Sequence, residues 1–490
     1  MLPTTVIGLT FTAYLLTVLV IGVLAYRRTR DLGDYILGGR RLSSFVSALS
    51  AGASDMSGWL LLGLPGYAYA AGFEAGWLAL GLLAGTYLNW HLIAPRLRTF
   101  TVSFDDALTL PAFLERRFAD RSGLLRSVSA LFILLFFLIY TSSGLVAGGK
   151  LFNAVFGLPY AWAVLAGALA IIVYTLLGGF LAVSWTDVVQ GLLMLFALVA
   201  VPVVAVDHLG GWGRVEALMQ THGPALLDPF TDRDGAPLTA MAVVSLLAWG
   251  LGYFGQPHIL ARFMAIHRAS AIPRARRIAT GWAASTMLGA LLVGLTGIGL
   301  FAEPLPDPER VFILAVGVLF HPLLAGICLA AILAAIMSTA DSQLLVSASA
   351  LTEDFYKALL RKQASQRELI WVGRGTVLGL AAIASLLALD PTSKVLDLVA
   401  YAWAGFGAAF GPGLILALFW RRMTRYGALA GIVVGGLVVL VWKQLSGGIF
   451  DLYEIVPGFI ASAGAIVLVS LTGPKPTAET LARFDTAAAA

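Results

Sequence analysis

Apolar residues gather into runs long enough to cross a bilayer, near residues 5–26, 44–71, 74–95, 127–155, 160–179, 186–206, 239–262, 278–301, 322–350, 369–389, 395–420, 427–445 and 454–472. A membrane-spanning helix needs about 20 such residues, so the pattern predicts thirteen transmembrane helices, spans 1 to 13. The stretch 311–320 is also apolar, but His321-Pro322 interrupts it, and it reads as a short outer helix leading into span 9. The first run lacks a basic leader and is longer than a signal peptide's apolar core, so it reads as a span that stays in place. Composition agrees: 59% of the chain is apolar and 12% charged, against about 25% charged in soluble proteins. With so little charge to face water, the expected solvent is lipid. The single cysteine, Cys328, lies inside an apolar run, which excludes a disulfide framework.

Lysine and arginine fix the expected orientation, because they concentrate in cytoplasmic loops. Basic residues follow the odd-numbered spans: Arg27, Arg28, Arg30, Arg40 and Arg41 after span 1, and Arg96 to Arg126 after span 3. Arg262 to Arg277 follow span 7, Lys357 to Arg374 span 9, and Arg421 to Arg425 span 11. Of 32 basic residues, only Lys150, Arg214, Arg233, Arg310, Lys394 and Lys443 are left for the other face. The chain is expected to start outside and end in the cytoplasm.

Two spans carry glycine and proline at mid-depth. Span 2 holds Ala53-Ser54-Asp55-Met56-Ser57-Gly58-Trp59, then Gly63, Pro65 and Gly66; span 7 holds Trp249-Gly250-Leu251-Gly252-Tyr253-Phe254-Gly255-Gln256-Pro257-His258. Such residues weaken the helical ladder and free backbone groups that lipid cannot satisfy, so they belong beside a cavity. A matched pair of broken helices five spans apart points to an inverted repeat with its site at the membrane midplane. One polytopic domain is expected over 1–490: a peripheral first span and inner loop (1–43), repeat 1 (44–206), repeat 2 (239–420), peripheral spans 12 and 13 (427–472) and a short cytoplasmic tail (473–490).

Asp55 stands out, since a carboxylate inside a span is costly and marks function by default. An unwound backbone around it would offer carbonyl oxygens, ligands suited to a hard cation. In span 9, Ala335, Ser338, Thr339 and Ser342 fall on one helix face, with Asp341 beside them. Trp249 and Tyr253 share a face of span 7, and with Tyr140 they suit a small solute with an apolar ring.

The runs ASDMSGWLLLGLPG in span 2, WGLGYFGQPHILARFMA in span 7 and AAIMSTADSQLL in span 9 resemble the sodium/solute symporter family, and the likeness covers nearly the whole chain. The resemblance implies an all-α membrane protein with a LeuT-type five-plus-five inverted repeat, spans 2–6 and 7–11, and broken helices 2 and 7. It also implies sodium-coupled import by alternating access, in the bacterial inner membrane, and the span 7 segment narrows the implied solute to L-proline. The family's sodium site maps onto the backbone carbonyls of Ala53, Met56 and Ala335 and the hydroxyls of Ser338 and Thr339, with Asp55 as its essential acidic residue. Asp55, Ser57, Gly58, Tyr140, Trp249, Tyr253 and Pro257 match the solute-site positions. Asp187, Asp341 and Ser342 are candidates for a second sodium ion.

Rival classes find little in the sequence. There is no Walker A motif, no HExxH-type pair among the six histidines, and no signalling domain in the tail, so neither a pump, a membrane enzyme nor a sensor is expected. No nucleic-acid or obligate protein partner is implied. The alternative is a sodium or proton symporter for another small amino acid or carboxylate solute in the same fold.

Overall fold

Hydrocarbon offers no hydrogen bonds, so a spanning segment must satisfy its own backbone, and each predicted run is mainly helical over its described residues. A computed structural model describes residues 4–26, 32–175 and 179–489. Spans 1, 4, 6 and 8 are Thr4–Tyr26, Leu124–Phe156, Phe180–His208 and Ile272–Leu300. Spans 9 to 13 are Pro322–Ser349, Gln366–Leu387, Val395–Phe419, Arg425–Trp442 and Ile455–Thr472. Among the described residues these nine are long and apolar enough to cross a membrane unaided. Span 5 is the shorter Tyr160–Thr175, the end predicted for it lying partly outside the described residues, as do Arg27, Arg28 and Arg30. The outer helix before span 9 is Val311–Leu319.

The remaining three spans are interrupted. Span 2 runs Ser44–Asp55, breaks, and resumes as a π turn Trp59–Gly63 and helix Leu64–Ala71. Span 7 is Ala240–Leu247, then 3₁₀ over Ala248–Gly255, then helix Pro257–Ala265. Both breaks fall where glycine and proline predict them. Span 3 is longer than predicted, Ala75–Leu88 and Ala94–Ser103 joined by a π turn at Asn89–Ile93.

Packing has the exchange symmetry an inverted repeat requires. Span 2 packs on span 6 and reaches into the other half against span 8; span 7 packs on span 11 and reaches back against span 3. Close approach at the second crossing depends on missing side chains. A Cβ on Gly81 or Gly85 would meet the carbonyl oxygen of Leu247 or Gly250 at 2.4 and 2.3 Å, and one on Gly250 would meet the carbonyl of Gly81 at 2.3 Å.

Polar ties hold both membrane faces together. On the face where the first span ends, Arg40 donates to Asp106 (2.7 Å), the Met264 carbonyl (2.6 Å) and the Ala107 carbonyl (2.8 Å). Beside it, Leu42 and Ile266 form a parallel bridge between the segments before span 2 and after span 7. On the opposite face, Lys150 is buried in ion pairs with Glu309 (2.6 Å) and Asp307 (2.9 Å), so this residue, read from sequence as an outer-surface charge, is internal. Glu309 also accepts the Val395 and Leu396 amides (3.0 Å each), capping span 11 at the end where a negative charge is favoured.

The tail is helical, Ala478–Ala489. Phe484 packs edge-on against Phe100 of span 3 (5.4 Å), and Asp485 pairs with Arg421 through both oxygens (2.8 and 2.7 Å). Spans 12 and 13 pack closely on span 11, and the Tyr453 ring ahead of span 13 stacks on Trp249 at 5.5 Å.

The glycine contact gives a direct test. Gly250→Ala places a methyl group against backbone that cannot rotate away, an overpacking cost of about 1–3 kcal/mol. Its thermal unfolding midpoint in detergent should fall, whereas Gly76→Ala, which meets nothing within 4 Å, should leave the midpoint unchanged. Equal midpoints for both variants would show that this crossing has slack.

Candidate functional site

Where span 2 stops being helical, its last carbonyls lose their partners four residues on. Met56, at the helix end (φ −86°, ψ 80°), still donates to Gly52, but Ser57 turns back onto Asp55 (3.1 Å). The Ala53 carbonyl is met instead from span 9, by Ser338 Oγ at 2.7 Å and Thr339 Oγ1 at 3.4 Å. Ser338 Oγ also lies 3.1 Å from the Ala335 carbonyl. Four oxygens of the predicted sodium set therefore converge: the carbonyls of Ala53 and Ala335 and the hydroxyls of Ser338 and Thr339. The side chain of Met56 is tied by its thioether, which accepts from Thr286 at 3.6 Å. Tyr140 closes the break by donating to the Asp55 carbonyl (3.1 Å), where the Trp59 indole also donates (3.2 Å).

The carboxylate of Asp55 is buried, and its Oδ2 accepts from the Tyr253 hydroxyl at 2.7 Å. The two broken helices thus meet side chain to side chain. Ser57 is buried beside the break, and Gly58 presses on Ala147 and Ile336, where a Cβ would meet the Ala147 methyl at 2.6 Å. Two further predicted solute contacts have partners of their own. The Trp249 ring stacks on Tyr453, and its carbonyl accepts from the Trp403 indole at 2.7 Å. Pro257 begins the lower half of span 7 and lines a separate cavity of about 30 Å³ with Leu110, Leu345 and Asp354.

The residues proposed for a second sodium ion are not gathered around one free space. Asp187 Oδ2 accepts from Ser50 (2.6 Å), Ser54 (3.0 Å) and Arg262 Nη2 (3.2 Å). Arg262 also donates to Ser342 (2.6 Å), Ser50 (3.0 Å) and the His258 carbonyl (2.9 Å), and lies over the Phe180 ring at 4.9 Å. A guanidinium thus sits where that ion was expected. Asp341 faces the other way, accepting from Thr175 of span 5 at 2.5 Å. The Arg262–Asp187 pair went unread because Arg262 counts as a loop cation in a charge tally. The available signal was the stripe Ser47, Ser50 and Ser54 at helical spacing on span 2.

With this geometry in view, comparisons place the chain among known proteins. The model of the sodium:solute symporter family matches residues 35–435. A protein of Escherichia coli (strain K12) named sodium/proline symporter is 52% identical over 482 residues, covering 97% of this chain and 95% of the relative. The osmoregulated proline transporter OpuE of Bacillus subtilis (strain 168) is 50% identical over 469 residues, 94% of each chain. Among solved structures, a Na⁺-coupled sialic acid symporter in a substrate-bound outward-open state superposes with a TM-score of 0.78 at 21% identity, covering 96% of this chain and 98% of that one. The last likeness establishes a shared fold.

The buried ion pair predicts an asymmetry between single and double substitution. Removing one partner leaves an uncompensated charge and costs about 3–5 kcal/mol, whereas replacing both with apolar residues is often neutral. Arg262→Met should lower the unfolding midpoint sharply, and Arg262→Met combined with Asp187→Leu should recover much of it. A double variant no more stable than the single one would show that Arg262 acts mainly through its serine contacts.

Proposed function

The chain belongs to the sodium:solute symporter family, and on that premise we propose that it carries L-proline into the cell together with sodium by alternating access. The observation that carries this reading is the meeting of the Ala53 carbonyl with the Ser338 and Thr339 hydroxyls at the break in span 2. A hydroxyl both donates and accepts. With no cation, its proton satisfies the stranded carbonyl; with sodium present, the hydroxyl rotates and turns a lone pair to the ion. The same oxygens therefore serve both states without moving the helices apart. Ala335 contributes a further carbonyl, and Met56 joins when its carbonyl turns inward.

Proline binds next to this set. Ser57 and Gly58 follow Met56 directly along the unwound segment, while Tyr140 and Tyr253 reach Asp55 from spans 4 and 7. Ordering the segment around sodium positions the solute contacts, and linkage makes the effect reciprocal, worth about 1–3 kcal/mol. The repeats, 44–206 and 239–420, are the bodies that rock against each other, the Arg40 ties opening on one side and the Lys150–Glu309 pair on the other. The chain lies in the cytoplasmic membrane of a bacterium, its N-terminus outside and C-terminus inside, as its arginines require.

Uptake of radiolabelled proline into liposomes, driven by a sodium gradient and challenged with each of the twenty amino acids, tests the reading. Ser338→Ala and Thr339→Val should each raise the half-saturating sodium concentration about tenfold, equivalent to about 1.4 kcal/mol. Sodium-independent uptake, or stronger competition by another amino acid than by proline itself, would overturn it.

A further inference from the structure

The tail helix Ala478–Ala489 lies on the face where Arg40 makes its ties, and it touches both repeats. Thr480, Phe484 and Ala487 are buried at i, i+4 and i+7, so one face of the helix is docked. On repeat 1, Phe484 meets Phe100, and Arg483 pairs with Asp105 (2.9 Å) while lying over the Phe104 ring (4.9 Å). Just past repeat 2, Asp485 holds Arg421 through both oxygens. Beneath the helix the repeats also meet directly, Arg117 Nε donating to the Ala417 carbonyl at 3.1 Å.

The docking point on repeat 1 adjoins the closure made by Arg40. Asp105 and Asp106 both have positive φ (56° and 55°), a conformation that residues other than glycine seldom adopt. Such residues persist where surrounding contacts hold them. Here Asp106 is held by Arg40 and Asp105 by Arg483 of the tail, so one turn is gripped from both sides. Releasing the tail frees one half of a turn whose other half carries the Arg40 tie.

That grip is weak by construction. Arg117 is fully buried, and its Nη1 and Nη2 have no hydrogen-bond partner among the described residues. The guanidinium meets ring faces instead, those of Phe484 at 4.5 Å and Phe118 at 4.9 Å. Docking Phe484 therefore strips water from a cation and returns only a cation–π contact, so the two effects largely offset each other. The ion pairs add little, since Arg421 and Asp485 are 55% and 51% exposed, and Arg483 and Asp105 32% and 65%. A helix of 12 residues also has little stability of its own once it leaves its docking surface.

We propose that the tail helix is a detachable latch: docked, it holds the inner face shut, and released, it lets the repeats part there. The inference rests on the alternating-access reading above. Because the tail is fastened by exposed ion pairs, salt on the cytoplasmic side screens the fastening and releases the latch. The latch thus makes inner opening depend on the ionic strength that the tail experiences.

The test uses full-length protein in inside-out vesicles, with the single cysteine removed (Cys328→Ala) and a reporter introduced by Ala261→Cys. Ala261 lines the cavity beside Pro257 and Leu110, between span 7 and the helix that follows span 3. An impermeant maleimide reads inner opening as the rate of its modification. Asp485→Arg and Arg421→Asp should each raise that rate about threefold at low salt, the scale of one exposed ion pair. The double exchange restores the pair with its charges swapped and should return the rate to that of the parent. Raising salt from about 0.05 to about 0.5 M should speed the parent by a similar factor and leave Asp485→Arg unchanged. Single variants that label like the parent, or a double variant as fast as the singles, would overturn the proposal. A parent rate indifferent to sodium would count against alternating access, and the comparison among variants would still decide the latch.

Discussion

A helix interrupted inside hydrocarbon must find partners for the backbone groups it releases, and much of the architecture around span 2 follows from that demand. The Ala53 carbonyl receives hydroxyls from span 9, and the Asp55 carbonyl receives Tyr140 and Trp59. Each partner comes from a different place, so the break fixes which helices must surround it. Neutral hydroxyls suit the task because they can release the carbonyl to a cation and take it back. An amide or guanidinium in the same place would hold it permanently.

The second broken helix solves the same problem differently. Its 3₁₀ stretch is shielded by backbone approach, with Gly81, Gly85 and Gly250 allowing main chain to lie against main chain, while the Trp403 indole takes the Trp249 carbonyl. Asn89 donates to the Tyr253 carbonyl and Gln256 to that of Gly252. Small residues at one crossing and polar side chains at the other serve one purpose: both shelter backbone that an interrupted helix cannot satisfy by itself.

The spans and both breaks were legible in the sequence because hydropathy and the glycine–proline clusters act locally. The face shared by Ala335, Ser338, Thr339 and Ser342 was legible for the same reason, as a matter of helical period. What could not be read was which distant chain segment meets which. That Trp249 stacks on Tyr453, about two hundred residues on, is visible only in the fold. Arg262 looks like a loop cation until span 2 supplies its serines. Lys150 and Glu309 are likewise joined only by the fold. The tail helix was missed for another reason, its Pro- and Ala-rich lead and weak apolar pattern carrying no span-like signal.

Arg262 and Asp187 have a consequence in electrical terms. Moving one elementary charge through the membrane field is worth about 2.3 kcal/mol per 100 mV. A lone arginine on a rocking helix would be drawn toward the negative interior, and a lone aspartate driven from it, so voltage alone would bias the resting position. Bound together with both side chains fully buried, they form a neutral dipole whose displacement does almost no work against the field. The membrane potential is thereby left to act on the charge that crosses with the cargo, and on the carboxylates of Asp55 and Asp341, which have no such companion among the described residues.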